Sequence, residues 1–126
     1  MAQPSVSSDP AYQLLLSERI DGFNLKKKDL DLSKLTGQRY QGLDLRNLNA
    51  EGLDFSDSRF RNADLRGIDF RQTNLEGCSF ASAKISGCYF PKNLSAIEIT
   101  MSVDKGTRVR CAATRKAAAN LPKKDA

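Results

Sequence analysis

The stretch from Phe55 to Phe80, FSDSRFRNADLRGIDFRQTNLEGCSF, places an apolar residue at every fifth position. An α-helix turns by about 500° over five residues, so these residues would drift around its surface. A straight strand fails as well, because an odd step sends each side chain to the opposite face. The chain must therefore bend once per repeat and stack on itself, which is the pattern of a solenoid.

The same register extends in both directions without interruption, and we call its members the ladder residues. They are Leu25, Leu30, Leu35, Tyr40, Leu45, Ala50, Phe55, Phe60, Leu65, Phe70, Leu75, Phe80, Ile85 and Phe90. Two positions after a ladder residue, Gly recurs at 37, 42, 52, 67, 77 and 87, with Asn47, Asp57 and Asn62 at others. Gly, Asn and Asp tolerate positive φ, which predicts a corner at each of these positions. We predict a core ladder of Leu45, Phe55, Phe60, Leu65, Phe70, Leu75, Phe80, Ile85 and Phe90.

The repeats NADLR, GLDLR, GLDFS, GIDFR and QTNLE resemble the pentapeptide-repeat family, whose consensus is A(D/N)LXX. The resemblance covers residues 21–90. It implies an all-β solenoid, a right-handed quadrilateral β-helix with four repeats per coil and about three and a half coils. Within KKKDLDLSK at 26–34, Lys28 falls on an inward position, so an irregular first coil is expected.

Both flanks of the repeats predict short capping helices, since a solenoid exposes apolar side chains and unpaired backbone at its ends. At the N-terminal side, Asp9 is a candidate N-cap with Pro10 at the first helical position. At the C-terminal side, Ser95 and Glu98 form a candidate capping box, and Gly106 is a candidate helix stop. The predicted organisation is an N-terminal segment with a capping helix (1–20), a β-helix (21–90), a C-terminal capping helix (91–106) and a basic flexible tail (107–126).

The net charge of +5 is concentrated at the C-terminal end of the sequence. Residues 1–104 carry thirteen Lys/Arg against fourteen Asp/Glu, whereas residues 105–126 carry seven against one. The composition therefore predicts a nearly neutral body and a cationic tail able to contact an anionic surface. No apolar run is long enough for a transmembrane segment, and the first residues lack the pattern of a secretory signal.

Catalytic chemistry has little support in the residues present. The chain has no histidine, which removes imidazole bases and histidine-ligated metals, and we predict neither an enzyme nor a cofactor. Asp44 and Asp64 stack in the twenty-residue coil. The pair is either a carboxylate dyad or cation site, or two aspartates with the ordinary structural role of the corner position. Cys78 and Cys88 point inward, which favours core packing over a disulfide or redox role. We predict that Cys111 lies on the tail and is reactive.

The arginines offer a surface that a partner could contact. In a twenty-residue coil Arg39 stacks under Arg59, Arg61 lies on the same side, and Arg46 stacks under Arg66 on the next side. These arginines form a basic ridge, which is either a contact surface for a partner or an ordinary solvated face. The candidate interaction residues are Arg39, Arg46, Arg59, Arg61, Arg66, Arg108, Arg110, Arg115 and Lys116.

These features favour a non-catalytic interaction, scaffold or assembly module that docks on a larger protein complex. The alternatives are a DNA-mimic inhibitor of a topoisomerase, as known for some members of the family, and binding of anionic membrane or nucleic acid through residues 107–126. The whole chain is similar to small pentapeptide-repeat proteins abundant in cyanobacteria, which adds a photosynthetic assembly to the candidate partners. The expected location is cytoplasmic or stromal, with a peripheral position on a membrane complex as a variant.

Overall fold

The computed structural model describes residues 9–112, and their centre is a coil with a turn after every ladder residue from Leu35 to Ile85. Parallel β-bridges join residues twenty apart, so four turns complete one coil. Each bridge involves a single residue on each side, and the bridges do not extend into continuous strands. They are Arg39 to Arg59, Asp44 to Asp64, Asp54 to Asn74, Arg59 to Ser79, Asp64 to Lys84 and Asp69 to Tyr89.

The ladder residues fill the inside of the coil, as the sequence predicts. All of them from Leu35 to Phe80 are buried. The rings of Tyr40, Phe60 and Phe80 form one stacked column, with centroids 5.1 and 5.5 Å apart. Ile85 and Phe90 are only half-buried, because no complete coil follows the one that contains them.

Small polar side chains add hydrogen bonds between successive coils inside the core. Ser58, Thr73, Cys78 and Cys88 each lie two positions before a ladder residue. Each donates its hydroxyl or thiol hydrogen to the carbonyl of a ladder residue one coil earlier, at 2.8 to 3.2 Å. The two cysteines therefore have a packing role, and burial raises the pKa of Cys78 to about 12.

The start of the predicted repeats differs from the structure. Residues 21–29 form helix and a 3-10 turn rather than coil. Helix α1 (Pro10–Leu16) is followed by helix α2 (Ile20–Lys26) and a 3-10 turn (Lys27–Asp29). Leu25 is 80 % exposed rather than inward. A coil here would bury Lys28, and burying an unpaired ammonium group is costly. The β-helix therefore begins near Leu35 and comprises about three coils rather than three and a half.

Helices α1 and α2 cover the N-terminal end of the coil with side chains rather than with another strand. The Asp9 carboxylate caps α1 by accepting from the Tyr12 amide at 3.0 Å, as the sequence predicts. Asn24 acts as a substitute for a missing rung, because its amide nitrogen donates to Asn47 O and its oxygen accepts from Asn49 N, each at 2.9 Å. The backbone edge of the first coil is thereby satisfied at these points.

The C-terminal cap combines helix α3 (Ala96–Lys105) with residues 107–112, which we call the strap. Ser95 caps α3 and Gly106 ends it in the left-handed conformation, both as predicted. Beyond Gly106 the prediction of a free tail is wrong for the strap. Arg108 forms an antiparallel bridge to Ser79, and Val109 is fully buried.

Cys111 corrects the same prediction, since it is only 3 % exposed. Its amide donates to Glu76 Oε1 at 2.8 Å, which holds this end of the strap on the last coil. The apolar alternation of Val109 and Cys111, two residues apart, is the signal of a strand with one buried face. Residues 113–126, the remainder of the predicted tail, lie outside the described part of the chain.

We expect Phe60→Ala to lower the free energy of unfolding by roughly 3–5 kcal/mol, because it removes the middle ring of the aromatic column. Phe60→Leu, which conserves most of the volume, should cost less than about 1.5 kcal/mol. Urea unfolding followed by circular dichroism would measure both. Equal stability of the Phe60→Ala variant and the wild type would contradict the assigned register.

We expect all three thiols to react slowly with a maleimide in the native protein, with Cys78 the slowest. Val109→Asp places a charge in the buried face of the strap and should accelerate labelling of Cys111 selectively. Cys88, on the opposite side of the coil, is the internal control and should keep its rate. Native Cys111 labelling at the rate of the urea-unfolded protein would disprove the packed strap.

Candidate interaction surface

Three arginines on one side of the coil have no carboxylate within ion-pair distance in the described range. Arg39 and Arg59 occupy neighbouring bridge positions in one column, and Arg61 lies two residues further along the same side. All three are exposed, and none takes part in a salt bridge between residues 9 and 112. We call these three residues the arginine face. Adjacent rungs lie about 4.8 Å apart, so the column concentrates positive charge in a small area.

The other half of the predicted ridge is neutralised. Arg46 pairs with Asp44 at 2.8 Å and approaches Asp64 at 3.4 Å. Arg66 pairs with Asp64 at 2.7 Å. In each case the carboxylate lies two residues before the arginine, and strand alternation directs both side chains to the same face. Arg46 and Arg66 therefore belong to local ion pairs rather than to an open basic surface.

A third pair of this kind, between Asp69 and Arg71 at 2.8 Å, was missed at the sequence level. The signal is present as Asp-Phe-Arg, which repeats the Asp-Leu-Arg pattern of the other two pairs. The Arg71 guanidinium also lies over the ring of Tyr89, 4.5 Å from its centroid. This cation–π contact joins successive coils on the side that faces away from the arginine face.

The ion pairs shift the acidities of their carboxyl groups. The hydrogen bond from Arg66 lowers the pKa of Asp64 to about 2, and the hydrogen bond from Arg71 lowers the pKa of Asp69 to about 2. The pKa of Asp44 is lowered by its hydrogen bond with Arg46. A general acid or base needs a pKa near the working pH, so these shifts move the three carboxylates away from catalytic use.

Asp44 and Asp64 do stack as the sequence predicts, as neighbours in a parallel bridge. Their oxygens are engaged by Arg46 and Arg66, so the arginines take the place that a cation would occupy. Within the described range, no group of three or more Cys, Asp or Glu side chains is arranged to hold a metal ion. The stacked pair therefore functions as an arginine clasp.

Arg108 and Arg110 are structural in the strap rather than free for a partner. Arg108 Nε donates to Gly77 O at 2.9 Å, and its terminal nitrogen pairs with Asp57. Arg110 pairs with Glu98 of α3 at 3.1 Å. The Glu98 carboxylate therefore bonds Arg110 rather than the Ser95 amide, which is the second bond of the predicted capping box. Arg115 and Lys116, the last two candidates, lie outside the described residues.

The family model described as "Pentapeptide repeats (8 copies)" matches residues 29–67, 41–77 and 54–90. The chain belongs to the pentapeptide-repeat family. These matches begin at 29 rather than 21, in agreement with the helical start of the described chain. Neither the curated proteins nor the solved structures include a significant match.

Membership of the family has general consequences for fold and activity. Pentapeptide repeats imply a right-handed β-helix, and pentapeptide-repeat proteins are in general non-catalytic structural or interaction modules. None of the helices between residues 9 and 112 has the length and apolar character needed to cross a lipid bilayer. The arginine face is therefore an exposed surface on a repeat protein, of a kind that in general has a structural or interaction role.

The clasp of Arg66 on Asp64 predicts a specific acid dependence. Because the pKa of Asp64 is lowered from 3.8 to about 2, its stabilising contribution is complete above pH 4 and is lost as the pH falls toward 2. Arg66→Gln should raise this pKa toward its ordinary value. Carboxyl-detected NMR titration would measure the change, with Arg59→Gln as the control because Arg59 forms no salt bridge within residues 9–112. An unchanged Asp64 titration in Arg66→Gln would refute the clasp.

Proposed function

We propose that this chain is a non-catalytic interaction module that docks on an acidic surface of a larger protein assembly. The observation that carries the proposal is the contrast among the arginines of the coil and the strap. Arg46, Arg66, Arg71, Arg108 and Arg110 are all paired with carboxylates, whereas the arginine face has none among the described residues. Its three cations need no internal partner to be released before they can bind an external one.

The rigidity of the coil supports this function. The bridge positions fix the backbone of Arg39 and Arg59, so binding needs to order only their side chains. We take the coil to be right-handed and four-sided, as the family implies, with helical caps at both ends. In this arrangement the arginine face lies opposite the side that carries Asp69 and Tyr89, and one side alone would meet the partner.

We place residues 113–126 in a supporting role. They contain four basic residues and one acidic residue, a net charge of +3. A cationic segment of this kind increases the rate of encounter with an acidic partner without requiring a fixed geometry. The similarity to small cyanobacterial pentapeptide-repeat proteins makes photosynthetic assemblies the first partner class to test. A cytoplasmic or stromal location, peripheral to a membrane complex, would accord with that choice.

The alternatives have weaker support. A DNA mimic needs a continuous acidic surface, but Asp57 is paired with Arg108, and Glu76 accepts from the Cys111 amide. A contact with anionic lipid or nucleic acid through residues 107–126 would lack the contribution of the strap, since residues 107–112 are packed on the coil. Only the net +3 of residues 113–126 remains for it, and each basic residue contributes about 1 kcal/mol at an anionic membrane.

The test is capture of the partner from native lysate, followed by binding kinetics at two salt concentrations. Changing Arg39, Arg59 and Arg61 to Glu should shorten the lifetime of the complex by at least about tenfold, because it replaces close attraction by repulsion. Truncation after Ala112 should instead reduce the association rate and flatten its salt dependence, with little change in lifetime.

Two controls make this result specific. Arg46→Gln and Arg66→Gln together remove the same kind of charge from the adjacent side and should change the lifetime less than twofold. Thermal unfolding of each variant would confirm that the coil is intact. A complex whose rates are unaffected by the triple charge reversal would refute docking through the arginine face.

A further inference from the structure

The last coil ends in an open hydrogen-bonding edge at residues 83–90. One coil earlier, the amides of Leu65, Gly67 and Phe70 donate to Lys84 O, Ser86 O and Tyr89 O at 2.9, 3.0 and 2.7 Å. The equivalent amides twenty residues later belong to Ile85, Gly87 and Phe90. None of these three amides has an acceptor within residues 9–112.

The carbonyl groups on this edge follow the same rule. Inside the coil the carbonyl before a bridge residue accepts from the residue one coil above, as Ala63 O does from Lys84 N at 2.9 Å and Ile68 O does from Tyr89 N at 3.1 Å. On the last coil the corresponding carbonyls are those of Ala83 and Cys88, which accept no hydrogen bond from the described chain. The edge therefore presents three donors and two acceptors in the spacing of a missing rung.

The C-terminal cap covers two neighbouring parts of this end. Phe80 N donates to Ser102 Oγ at 2.8 Å, and Ser82 N donates to Val103 O at 3.0 Å, so α3 takes the place of a rung there. Gly77 N donates to Val109 O at 2.9 Å, so the strap takes the place of a rung on the neighbouring side. The cap leaves a notch above Ile85 and Phe90.

The shape of the notch selects an extended segment rather than a second coil. A helix is about 10 Å thick, whereas one rung adds about 4.8 Å, so α3 rises above the level of the next rung. A second prism placed end to end would meet α3 and the strap before its own edge reached residues 83–90. A single chain in β conformation fits beside them.

The side chains around the notch define the chemistry of the occupant. Ile85 and Phe90, five residues apart and half-buried, would each be covered by an apolar inward side chain of an added rung. Lys84 and Lys92 are exposed and have no carboxylate partner within residues 9–112. The described residues from 84 to 112 carry five Lys/Arg against two Asp/Glu, so this end has an excess of positive charge.

We propose that the edge at residues 83–90 accepts an acidic extended segment of a partner protein as an added β-rung. Charge complementarity selects the occupant, since residues 113–126 of this chain are themselves cationic and would be repelled by Lys84 and Lys92. Affinity comes from the main-chain hydrogen bonds, and selectivity comes from apolar residues five apart that cover Ile85 and Phe90. This site goes beyond the proposed function, because it uses no residue of the arginine face.

The first test is amide hydrogen exchange of the full chain by NMR, with matched triplets. The amides of Ile85, Gly87 and Phe90, the upper triplet, should exchange at least about 100-fold faster than those of the lower triplet. The lower triplet is Leu65, Gly67 and Phe70, which occupy the same positions one coil earlier. Protection of the upper triplet that is lost on truncation after Ala112 would show that the chain covers its own edge. Protection that grows with protein concentration would show a second copy. Either result would overturn the proposal.

The second test uses two synthetic peptides that copy this chain's own repeats, so that both carry the five-residue period. The acidic probe is residues 49–57, NAEGLDFSD, and the basic control is residues 59–67, RFRNADLRG. At millimolar concentration the acidic peptide should slow exchange of the upper triplet by about tenfold and leave the lower triplet unchanged. The basic peptide should slow it less than twofold. No effect of the acidic peptide, or equal effects of both, would refute the proposal.

Variants locate the effect on the edge and separate it from the proposed function. Ile85→Lys puts a charge on the inward face of the notch and should abolish the slowing, while the lower triplet stays protected. Lys84→Gln should weaken it at least threefold. Arg39→Gln, Arg59→Gln and Arg61→Gln together should leave it unchanged. Loss of the peptide effect in this last variant would assign the peptide to the arginine face and overturn the edge site.

Discussion

Every coil of this protein must return to its starting position after twenty residues, and the inward ladder residues are what make that return possible. Tyr40, Phe60 and Phe80 meet in one column because the backbone beside them is joined by bridges at the same interval. The apolar contacts and the hydrogen bonds between coils are therefore two results of one geometric condition. The inward hydroxyls and thiols add to both, since they fill the core and also bond the carbonyls of the coil before.

This condition also decides which charges remain available on the surface. An aspartate in a bridge position and an arginine two residues later project from the same short side, which is why Asp44 and Arg46 pair. Arg59 also follows an aspartate by two residues, but Asp57 occupies a corner with φ of 61° and pairs with Arg108 instead. Arg59 itself stands in the bridge position. The same short sequence pattern thus gives opposite electrostatic results in two registers of the repeat.

The interior was predictable from the sequence because period, side-chain size and corner residues all agree between Leu35 and Phe90. The ends were less predictable. Leu25 fits the count of five, and the inward position of Lys28 predicts only an irregular coil there, whereas the chain forms helix α2. Cys111 was assigned to a tail because its surroundings are basic, whereas its burial depends on the pairing of Arg108 with Ser79, far away in sequence. The arginine column was predictable from stacking, but the identity of the unpaired arginines required side-chain geometry.

The corner after each ladder residue has a consequence for how such a chain can change in length. Insertion of one five-residue repeat preserves inward and outward positions, but it rotates everything beyond it by a quarter turn around the coil axis. The columns above and below the insertion would no longer align, and Arg39 would stack beneath a residue from a different side. Insertion of twenty residues restores the alignment and lengthens each column by one rung. Evolution can therefore move a binding face around the prism in quarter turns, or extend it along the axis, without altering the packing inside.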